Sequence, residues 1–448
     1  MSDVAGARVL VVGLGVSGYA AAAALLRRDA KVRVTEFSDS PQLRVRADEL
    51  RALGAEVELG NHDLDALDAD IAVVSPGIPP DAPVIAALRA AGREPWSEIE
   101  LAYRLARCDL VAVTGTNGKT TTTSLLAAML AAGGRPSVAA GNIGLPLIEA
   151  IEQVPNGGVI AVEVSSFQLA GIDRFRPRAA CILNVAEDHT DWHGSIAGYA
   201  RAKARITENQ TSDDVLVPNL ADRAAMDIAS RSSARVAPFS ASSDPTDGIG
   251  VRGGDVRWRG RKVFGLADVP LPGAAGLEDT LAAAGTALEY GVEESAVRAA
   301  IEGFKPLPHR LEVIAEHDGV TYVDDSKATN PHATLSAVRG LNAVVLIAGG
   351  RSKGMDLSAL AGSVPPVIAV IALGEAADEV ATVFAELVPV VRATDMTAAV
   401  RLAAARSVPG GSVLLSPGCA SLDMYESYAA RGEDFARAVR GLIGGDAR

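Results

Sequence analysis

The stretch TGTNGKT, residues 114–120, contains the residue types that bind nucleotide phosphates. It follows an apolar run typical of a strand and precedes a stretch typical of a helix. Its glycines free the backbone to surround phosphate groups, Lys119 can reach the β and γ oxygens, and Thr120 can ligate Mg²⁺. Val113 stands where the strict pattern G-x-x-x-x-G-K-[ST] requires glycine, so a Thr-rich turn remains the alternative.

A second glycine-rich turn, GLGVSG at residues 13–18, follows a predicted strand and opens a predicted helix. Glycines in such a turn let backbone N–H groups approach a diphosphate at a helix N-terminus. Glu36 ends the next predicted strand, where an acidic residue that binds a ribose is expected. The pattern predicts a nucleotide site but leaves NAD, FAD and a UDP-sugar open. A tight turn with close helix packing is the alternative.

Carboxylates and imidazoles follow two further predicted strands. Glu163 ends the strand in AVEVSSFQL, where it could face a metal ion. A turn after the strand at 179–185 contains Glu187, Asp188, His189, Asp191 and His193. Carboxylate oxygens and imidazole nitrogens are plausible ligands of Mg²⁺ or Mn²⁺. A solvated acidic turn is the alternative for this segment.

Three lysines differ in how much the sequence says about them. Lys327 in DDSKATNP and Lys353 in GGRSKGMD each follow a predicted strand and lie among small residues. A lysine at the carboxyl end of a strand can bind an anion, although most loop lysines are simply solvated. Lys203 lies in the helical stretch YARAKARI, and nothing in the sequence itself distinguishes it from a solvated lysine.

Short β-branched runs alternate with Ala/Leu-rich helical stretches along the whole chain, which predicts parallel α/β sheets. The predicted strands form three series. They lie at 8–13, 31–36 and 71–77, then at 110–115, 158–166 and 179–185, and finally at 319–326, 343–350, 367–374 and 412–418. Residues 232–262 predict an irregular or hairpin excursion, and the Pro-rich stretch 304–310 predicts a joint.

Composition limits the class of protein. A chain of 448 residues with 48% apolar and 22% charged residues is globular, and its net charge of −13 argues against a nucleic-acid or anionic-membrane binder. The cysteines Cys108, Cys181 and Cys419 fit neither a disulfide framework nor metal spacing, which indicates a reducing compartment. The charge-free stretch 9–26 is interrupted by glycines and favours a strand, turn and helix over a membrane span. Without a signal-peptide pattern, we expect a cytoplasmic protein.

Taken together and in this order, the motifs resemble those of the Mur ligase superfamily, which includes folylpolyglutamate synthase. The resemblance covers essentially the whole chain. Within the superfamily, the chain most resembles the branch that adds D-glutamate. In that superfamily the phosphate-binding loop often lacks its first glycine, so Val113 is expected. The motifs are GLGVSG at 13–18, SPGI at 75–78, GNIG at 141–144, EVSSFQL at 163–169, NVAEDH at 184–189, LPHR at 307–310, DDSKATNP at 324–331 and SPGCASLD at 416–423.

The resemblance implies an α/β protein of three domains. These are a Rossmann-like UDP-binding domain at 1–97, a central P-loop ATPase-type domain at 98–307 and a Rossmann-like amino-acid-binding domain at 308–448. It implies an ATP-dependent, monomeric amide ligase that adds D-glutamate to UDP-N-acetylmuramoyl-L-alanine through an acyl phosphate, in peptidoglycan precursor synthesis. Another Mur-type or folylpolyglutamate-type ligase, an NAD-dependent oxidoreductase and a catalytically silent binding protein are the alternatives.

The resemblance also implies roles for residues. The catalytic set is Lys119, Glu163, His189, Lys203 and Lys327. ATP would contact Gly115, Thr116, Asn117, Gly118, Lys119, Thr120, Thr121, Arg310 and Asp325. The UDP substrate would contact Gly13, Gly15, Val16, Ser17, Glu36, Ser75, Pro76, Gly77, Asn142 and Ser165. D-Glutamate would contact Thr329, Lys353, Ser421, Leu422 and Tyr428.

For the metal, the resemblance implies two Mg²⁺ sites, with Mn²⁺ as an alternative ion. The implied ligands are Thr120, Glu163, His189 and a carbamylated Lys203. The chain departs from the pattern in the adenine-contacting segment, where Gly276 and Asp279 replace two expected asparagines.

Overall fold

The computed structural model of the chain describes residues 4–62, 68–271, 273–305 and 307–445. Residues 1–3 of the predicted first domain and Pro306 of the predicted joint lie outside them. The described residues form two compact units. One comprises residues up to 185 with 189–265 and 281–301, and the other comprises 186–188, 266–280 and the chain from 302 onward.

The N-terminal part of the first unit is a five-stranded parallel sheet in the order β3-β2-β1-β4-β5. The central strand, β1, is almost wholly buried because helices cover the sheet on both faces. The strands are β1 Arg8–Val12, β2 Lys31–Glu36, β3 Glu56–Leu59, β4 Ile71–Val74 and β5 Trp96–Ser97. The helices are α1 Val16–Leu26, α2 Pro41–Ala52, α3 Pro83–Ala90 and α4 Glu98–Leu105.

A six-stranded parallel sheet in the order β11-β10-β9-β6-β8-β7 forms the centre of the same unit. Its strands are β6 Asp109–Thr114, β7 Ser137–Gly141, β8 Val159–Glu163, β9 Ala179–Ile182, β10 Val215–Pro218 and β11 Arg235–Val236. Its helices are α5 Lys119–Ala132, α6 Leu147–Gln153, α7 Ser166–Ala170, α8 Thr190–His193, α9 Ile196–Ala204 and α10 Arg223–Ala229, with a 3₁₀ turn at Arg205–Thr207.

The predicted excursion at 232–262 is confirmed as a small four-stranded sheet. Its last three strands are antiparallel neighbours, as in successive hairpins. The strands are β12 Phe239–Ser240, β13 Ile249–Arg252, β14 Asp255–Trp258 and β15 Arg261–Gly265. A 3₁₀ turn at Leu266–Asp268, helix α11 Gly273–Tyr290 and helix α12 Glu294–Gly303 follow.

The second unit contains a six-stranded sheet in the order β16-β17-β21-β18-β19-β20. Only its edge strand β16 runs antiparallel to its neighbour. The strands are β16 Glu312–His317, β17 Val320–Asp324, β18 Val344–Gly349, β19 Val367–Leu373, β20 Val390–Arg392 and β21 Ser412–Leu415. The helices are α13 Pro331–Val338, α14 Ala377–Phe384, α15 Met396–Ala404 and α16 Tyr428–Gly445, with a 3₁₀ segment at Leu357–Ser363.

Two buried carboxylates on α4 connect the N-terminal sheet to the central one. Glu98 Oε1 accepts from the backbone N–H of Ile148 at 2.6 Å. Glu100 accepts backbone N–H groups at residues 173–175 and pairs with Arg104. The two sheets share one apolar core within this unit, and the predicted domain bounds stay predictions.

Stretch 9–26 is confirmed as a strand, a turn and a helix. Among the described residues, no helix has the length and apolar character that crossing a membrane requires.

Candidate active site

The predicted phosphate-binding loop connects the carboxyl end of β6 to the first residue of α5. Gly118 has φ +83°, a left-handed conformation that favours glycine, and it directly precedes the helix. Lys119 Nζ donates to the carbonyl oxygens of Gly115 at 2.9 Å and Thr116 at 2.8 Å. Thr120 and Thr121 lie in the first turn of α5. This is the strand, loop and helix arrangement that a P-loop requires.

Asn184 supports this loop, a role that its sequence motif did not predict. Its Oδ1 accepts from the backbone N–H groups of Thr116 at 3.1 Å and Asn117 at 2.9 Å. Its Nδ2 donates to the Asn117 carbonyl at 3.3 Å. The signal that could have identified it is an asparagine two residues beyond the end of β9, the strand beside β6.

Glu163 is only 2% exposed and ends β8, where its Cα pairs in register with Val113 of β6. Its Oε1 accepts from Asn142 Nδ2 at 2.8 Å. Its Oε2 is buried and has no hydrogen-bond partner in the described structure. A buried carboxylate oxygen without a donor costs free energy unless a cation or donor binds it. Glu163 therefore fits a metal ligand.

Lys203 is 1% exposed and is therefore not the solvated lysine that is usual in such a helical stretch. Its Nζ donates to the Gly115 carbonyl at 2.7 Å and lies 4.4 Å from the ring centroid of Tyr199. The Tyr199 hydroxyl donates to Thr116 Oγ1 at 3.2 Å. Two lysine amines, those of residues 119 and 203, thus converge on one carbonyl oxygen of the loop.

His189 immediately precedes the short helix α8 and has φ +51°. Its ring lies 4.7 Å from that of Phe167, edge to face. His193 stacks on the same phenyl ring, and its Nε2 lies 2.9 Å from Ser166 Oγ. The histidines therefore belong to an aromatic cluster of Phe167, His189, Trp192, His193 and Tyr199. Glu187 is exposed and Asp188 half-buried, and the side chain of Asp191 lies outside the described residues.

Ser165 caps helix α7 and is 8% exposed. Its Oγ accepts from the Gln168 backbone N–H, and the Gln168 side chain accepts in return from the Ser165 backbone N–H. The Ser165 hydroxyl therefore stabilises the N-terminus of α7 through a capping box.

The first glycine-rich turn lies between β1 and α1. Gly13 has φ +94°, and a Cβ built on Gly18 would lie 2.0 Å from the Gly13 carbonyl oxygen. Ser75 Oγ donates to that same oxygen at 3.2 Å. Glu36 accepts from the backbone N–H of Leu14 at 2.8 Å through one carboxylate oxygen. The glycine-rich turn, Glu36 as the predicted ribose-binding residue, and Ser75 after β4 therefore lie together at one edge of the sheet.

The other predicted UDP contacts lie on these same segments. Gly15 precedes α1, Val16 and Ser17 open that helix, and Pro76 and Gly77 follow Ser75.

In the second unit, Asp325 follows β17 and is 8% exposed. Its Oδ2 accepts from Ser416 Oγ at 2.8 Å. Burial raises the pKa of Asp325 to about 7, against the opposing effects of the Ser416 hydrogen bond and the charge of Arg310. Lys327 Nζ lies 3.7 Å from the ring centroid of Tyr428, a cation–π contact.

The remaining predicted D-glutamate residues lie in loops after the strands of this second sheet. Thr329 belongs to the loop after β17, and Lys353, at φ +54°, to the loop after β18. Ser421 and Leu422 follow β21, the first buried at 3% exposure and the second 54% exposed. Carboxyl ends of parallel strands share one edge of a sheet, which is where such folds bind ligands.

Arg431 of α16 is a second residue whose role the sequence did not predict. It is 2% exposed and donates to Ser326 Oγ, to the Ser326 carbonyl and to the Cys419 carbonyl. Burial lowers the pKa of its guanidinium to about 10. A fully buried arginine is rare enough to mark a structural or functional position.

Gly276 lies in α11, where a Cβ would be 2.5 Å from Leu271 Cβ and 2.7 Å from the Leu271 carbonyl oxygen. An asparagine therefore does not fit at 276 unless this backbone shifts. Asp279 lies on the same helix.

The parallel sheets, the P-loop and the carboxylate beside it define a nucleotide-dependent enzyme of the P-loop class. The chain belongs to the Mur ligase family. Residues 7–95 match the Mur ligase MurD-like N-terminal domain, 113–287 the Mur ligase middle domain, and 309–419 the Mur ligase glutamate ligase domain. The predicted three-domain α/β class is thereby confirmed.

Curated relatives match nearly the whole chain. The UDP-N-acetylmuramoylalanine–D-glutamate ligase of Frankia casuarinae is 45% identical over 450 residues, covering 98% of this chain and 95% of its own. The enzyme of the same name from Geobacter metallireducens is 41% identical, with 99% of each chain covered.

Solved structures at lower identity share the fold. The UDP-N-acetylmuramate-alanine ligase of Thermotoga maritima has a TM-score of 0.59 at 18% identity, covering 98% of this chain and 100% of its own. A pseudomurein peptide ligase type C from Methanothermus fervidus has a TM-score of 0.59 at 15% identity, covering 97% and 100%.

Proposed function

We propose that this chain is an ATP-dependent amide ligase that joins D-glutamate to UDP-N-acetylmuramoyl-L-alanine during peptidoglycan precursor synthesis. The observation that carries the catalytic part is the convergence of Lys119 and Lys203 on the Gly115 carbonyl, beside the buried Glu163. Relatives that are 41% to 45% identical over almost the full chain carry this activity in their names, which supports the choice of substrates.

ATP would bind with its phosphates against the loop between β6 and α5. Backbone N–H groups at the start of α5 and the Lys119 ammonium supply positive charge to the β and γ oxygens. In the described structure Lys119 Nζ contacts two loop carbonyls, so the side chain must turn from them toward the phosphates when ATP binds. Arg310 and Asp325 of the second unit are the further residues we assign to ATP.

Mg²⁺ fits the residues beside this loop. Glu163 Oε2 is a buried oxygen without a donor, Thr120 opens the helix with a hydroxyl, and His189 provides an imidazole nitrogen. When bound, the ion neutralises charge on the phosphates. We assign Thr120, Glu163 and His189 as its ligands, with Mn²⁺ as an alternative ion.

Carbamylation of Lys203 would complete the second of two metal sites. In that modification the ammonium first loses a proton, the neutral amine attacks CO₂ to form an N–C bond, and a second proton leaves the nitrogen, which gives a carbamate with one negative charge. The amine is buried and donates to the loop that would hold the ATP phosphates. Carbamylation would also remove one of the two like charges near the Gly115 carbonyl.

The reaction then proceeds in two transfers. A carboxylate oxygen of the UDP substrate attacks the γ-phosphorus of ATP. The bond between that phosphorus and the β–γ bridging oxygen breaks, ADP departs, and the substrate becomes an acyl phosphate. The neutral amine of D-glutamate attacks the acyl carbon, loses a proton, and the carbon–oxygen bond to phosphate breaks. The products are the amide, ADP and inorganic phosphate. Lys119 stabilises charge on the transferred phosphoryl group.

The substrates would be held at two sheet edges. The turn at 13–18, with Glu36 and Ser75, would bind the UDP portion, while Asn142 and Ser165 would face the muramoyl-alanine end. Thr329, Lys353, Ser421, Leu422 and Tyr428 would bind D-glutamate, and Lys327 would lie at the same site. We further propose that the chain acts as a monomer in the cytoplasm.

The test is phosphate release from ATP in the presence of UDP-N-acetylmuramoyl-L-alanine, comparing D-glutamate, L-glutamate and no amino acid. We expect release that depends on D-glutamate. Release that depends on a different amino acid would overturn the substrate assignment. Tight NAD(H) binding without any response to the UDP substrate would overturn the ligase proposal altogether.

A further inference from the structure

Two loops of the second unit carry most of the residues that we assign to the amino acid. One is loop 324–331, with Lys327 and Thr329, and the other is loop 416–423, with Ser421. They follow different strands, β17 and β21, which are neighbours in the sheet. Hydrogen bonding within the sheet fixes the strands, but it ends where the loops begin. Beyond the sheet, two hydrogen bonds join the loops directly: Ser416 Oγ donates to Asp325 Oδ2 at 2.8 Å, and the Gly418 N–H donates to the Ala328 carbonyl at 3.0 Å.

Arg431 adds a further connection between the two loops, from helix α16. Its Nε donates to Ser326 Oγ at 2.9 Å and its Nη2 to the Ser326 carbonyl at 2.8 Å. Its Nη1 donates to the Cys419 carbonyl at 3.1 Å. One planar guanidinium therefore bridges the first loop, the second loop and helix α16. A lysine ammonium could not reproduce this geometry, because a single nitrogen cannot reach all three acceptors with the same directions.

The residues around Arg431 leave space for these hydrogen bonds. Within the described chain, the guanidinium donates its hydrogen bonds to neutral oxygens, and the charges of Asp423 and Asp324 act on it without a direct ion pair. A Cβ on Gly350 would lie 3.1 Å from Arg431 Nη1. A Cβ on Gly432 would lie 2.2 Å from His309 Nδ1 and 2.6 Å from Asp324 Oδ2, so glycine at that position lets α16 approach the start of loop 324–331 closely. Burying a charged group this way is costly, which argues for a role beyond stability.

Helix α16 also reaches the predicted catalytic lysine. The carbonyl of Tyr428 accepts from Ser326 Oγ at 2.8 Å. Lys327 Nζ lies 3.7 Å from the centroid of the Tyr428 ring. Ser326 Oγ therefore accepts from Arg431 and donates to Tyr428, which links the arginine to the residue that holds Lys327.

We propose that Arg431 is a positioning residue that fixes loops 324–331 and 416–423 relative to each other, and thereby sets the spacing of Lys327 and Ser421 around D-glutamate. This inference rests on the proposed function. The Arg431 guanidinium donates its hydrogen bonds to loop oxygens, so the residue acts through the loops rather than by contact with substrate.

The test compares Arg431→Met, Arg431→Lys and the control Arg437→Met in the full chain. Arg437 lies on the same helix, but its side chain is 75% exposed and pairs only with Asp434 among the described residues. For Arg431→Met we expect the KM for D-glutamate to rise at least about tenfold, while the KM values for ATP and the UDP substrate stay within about twofold. Arg431→Lys should recover part of the loss, and Arg437→Met should match the parent chain.

A role confined to stability would give a different pattern. If Arg431→Met lowers kcat alone, or raises all three KM values together, the positioning role is wrong. Should Arg431→Met fail to fold, Ser326→Ala decides, because it removes only the bridging hydroxyl. A rise of about threefold or more in the KM for D-glutamate supports the proposal, and an unchanged value overturns it. Absence of D-glutamate-dependent phosphate release in the parent chain would instead refute the proposed function.

Discussion

Glu98 should make the stability of the first unit fall as pH rises. The side chain is 2% exposed at the junction of the N-terminal and central sheets. Its Oε1 accepts the Ile148 backbone N–H, while its Oε2 is buried and has no hydrogen-bond partner in the described structure. Burial, helped by the charge of Glu149, raises the pKa of Glu98 from 4.5 to about 7, against the hydrogen bonds from the backbone at 147 and 148.

The sign follows from proton binding. A carboxyl group whose pKa is raised on folding binds its proton more tightly in the folded state. Between pH 4.5 and about 7 the folded chain therefore holds more protons at Glu98 than the unfolded chain, and the free energy of unfolding falls as pH rises. At 1.36 kcal/mol per pH unit, the difference between the two pKa values corresponds to about 3 kcal/mol, lost in full above pH 7.

Glu98→Gln removes this titration while keeping an oxygen that can accept from Ile148. We expect the variant to match the parent chain near pH 4.5 and to exceed its free energy of unfolding by about 3 kcal/mol at pH 8. Urea denaturation between these pH values, followed by tryptophan fluorescence, measures the difference. All tryptophans, Trp96, Trp192 and Trp258, lie in the first unit, so the signal reports that unit alone.

The matched control is Glu94→Gln, because the Glu94 side chain is 72% exposed and lies in the segment just before β5. The variant-minus-parent difference should stay flat with pH for this control. A flat difference for Glu98→Gln as well would refute the reasoning, since it would mean that the buried carboxyl does not take up a proton on folding.

Three further predictions concern the nucleotide loops. Lys119→Ala should abolish phosphate release and leave binding of the UDP substrate, measured by calorimetry, largely intact; equal loss of both would contradict our division of labour between domains. High-resolution electron density at Lys203 Nζ, from crystals grown with bicarbonate at neutral to basic pH, should contain the three extra atoms of a carbamate, and a bare amine would count against the role. Gly18→Ala should lower stability by roughly 1–3 kcal/mol and weaken binding of the UDP substrate, because its Cβ would meet the backbone at 2.0 Å. Gly15→Ala, with no atom within 4 Å of the added Cβ, should leave the melting temperature unchanged.

Much of the fold follows from local patterns. Runs such as residues 8–13 and 343–350 are apolar and β-branched, and the helical stretches between them allow only crossover connections, which gives parallel sheets. The pattern misses the short edge strands β3 and β5, because few of their side chains are buried and the apolar signal is weak. The joining of the first two sheets through Glu98 and Glu100 was also not predictable, since acidic residues on a helix normally face water.

The site divides in a similar way. Glycine turns and the lysine of the P-loop are identifiable because backbone geometry itself demands those residue types at fixed spacing. Asn184 and Arg431 are different, because each acts on backbone groups that are distant in sequence. Asn184 binds a loop 67 residues away, and Arg431 binds one 105 residues away. No local spacing encodes such a contact, so only the folded chain reveals it.

Lys203 illustrates what a closer reading of the sequence could have found. Helix α9 buries Tyr199 and Ala202, and Lys203 lies four residues after the tyrosine, on the same face of the helix. A lysine on the buried face of a helix is unfavourable unless a partner compensates it. Here the compensating group is the Gly115 carbonyl, 88 residues away in the phosphate-binding loop. A charged residue on an apolar face therefore predicts a buried polar partner, and in this chain the partner lies in the loop where ATP is proposed to bind.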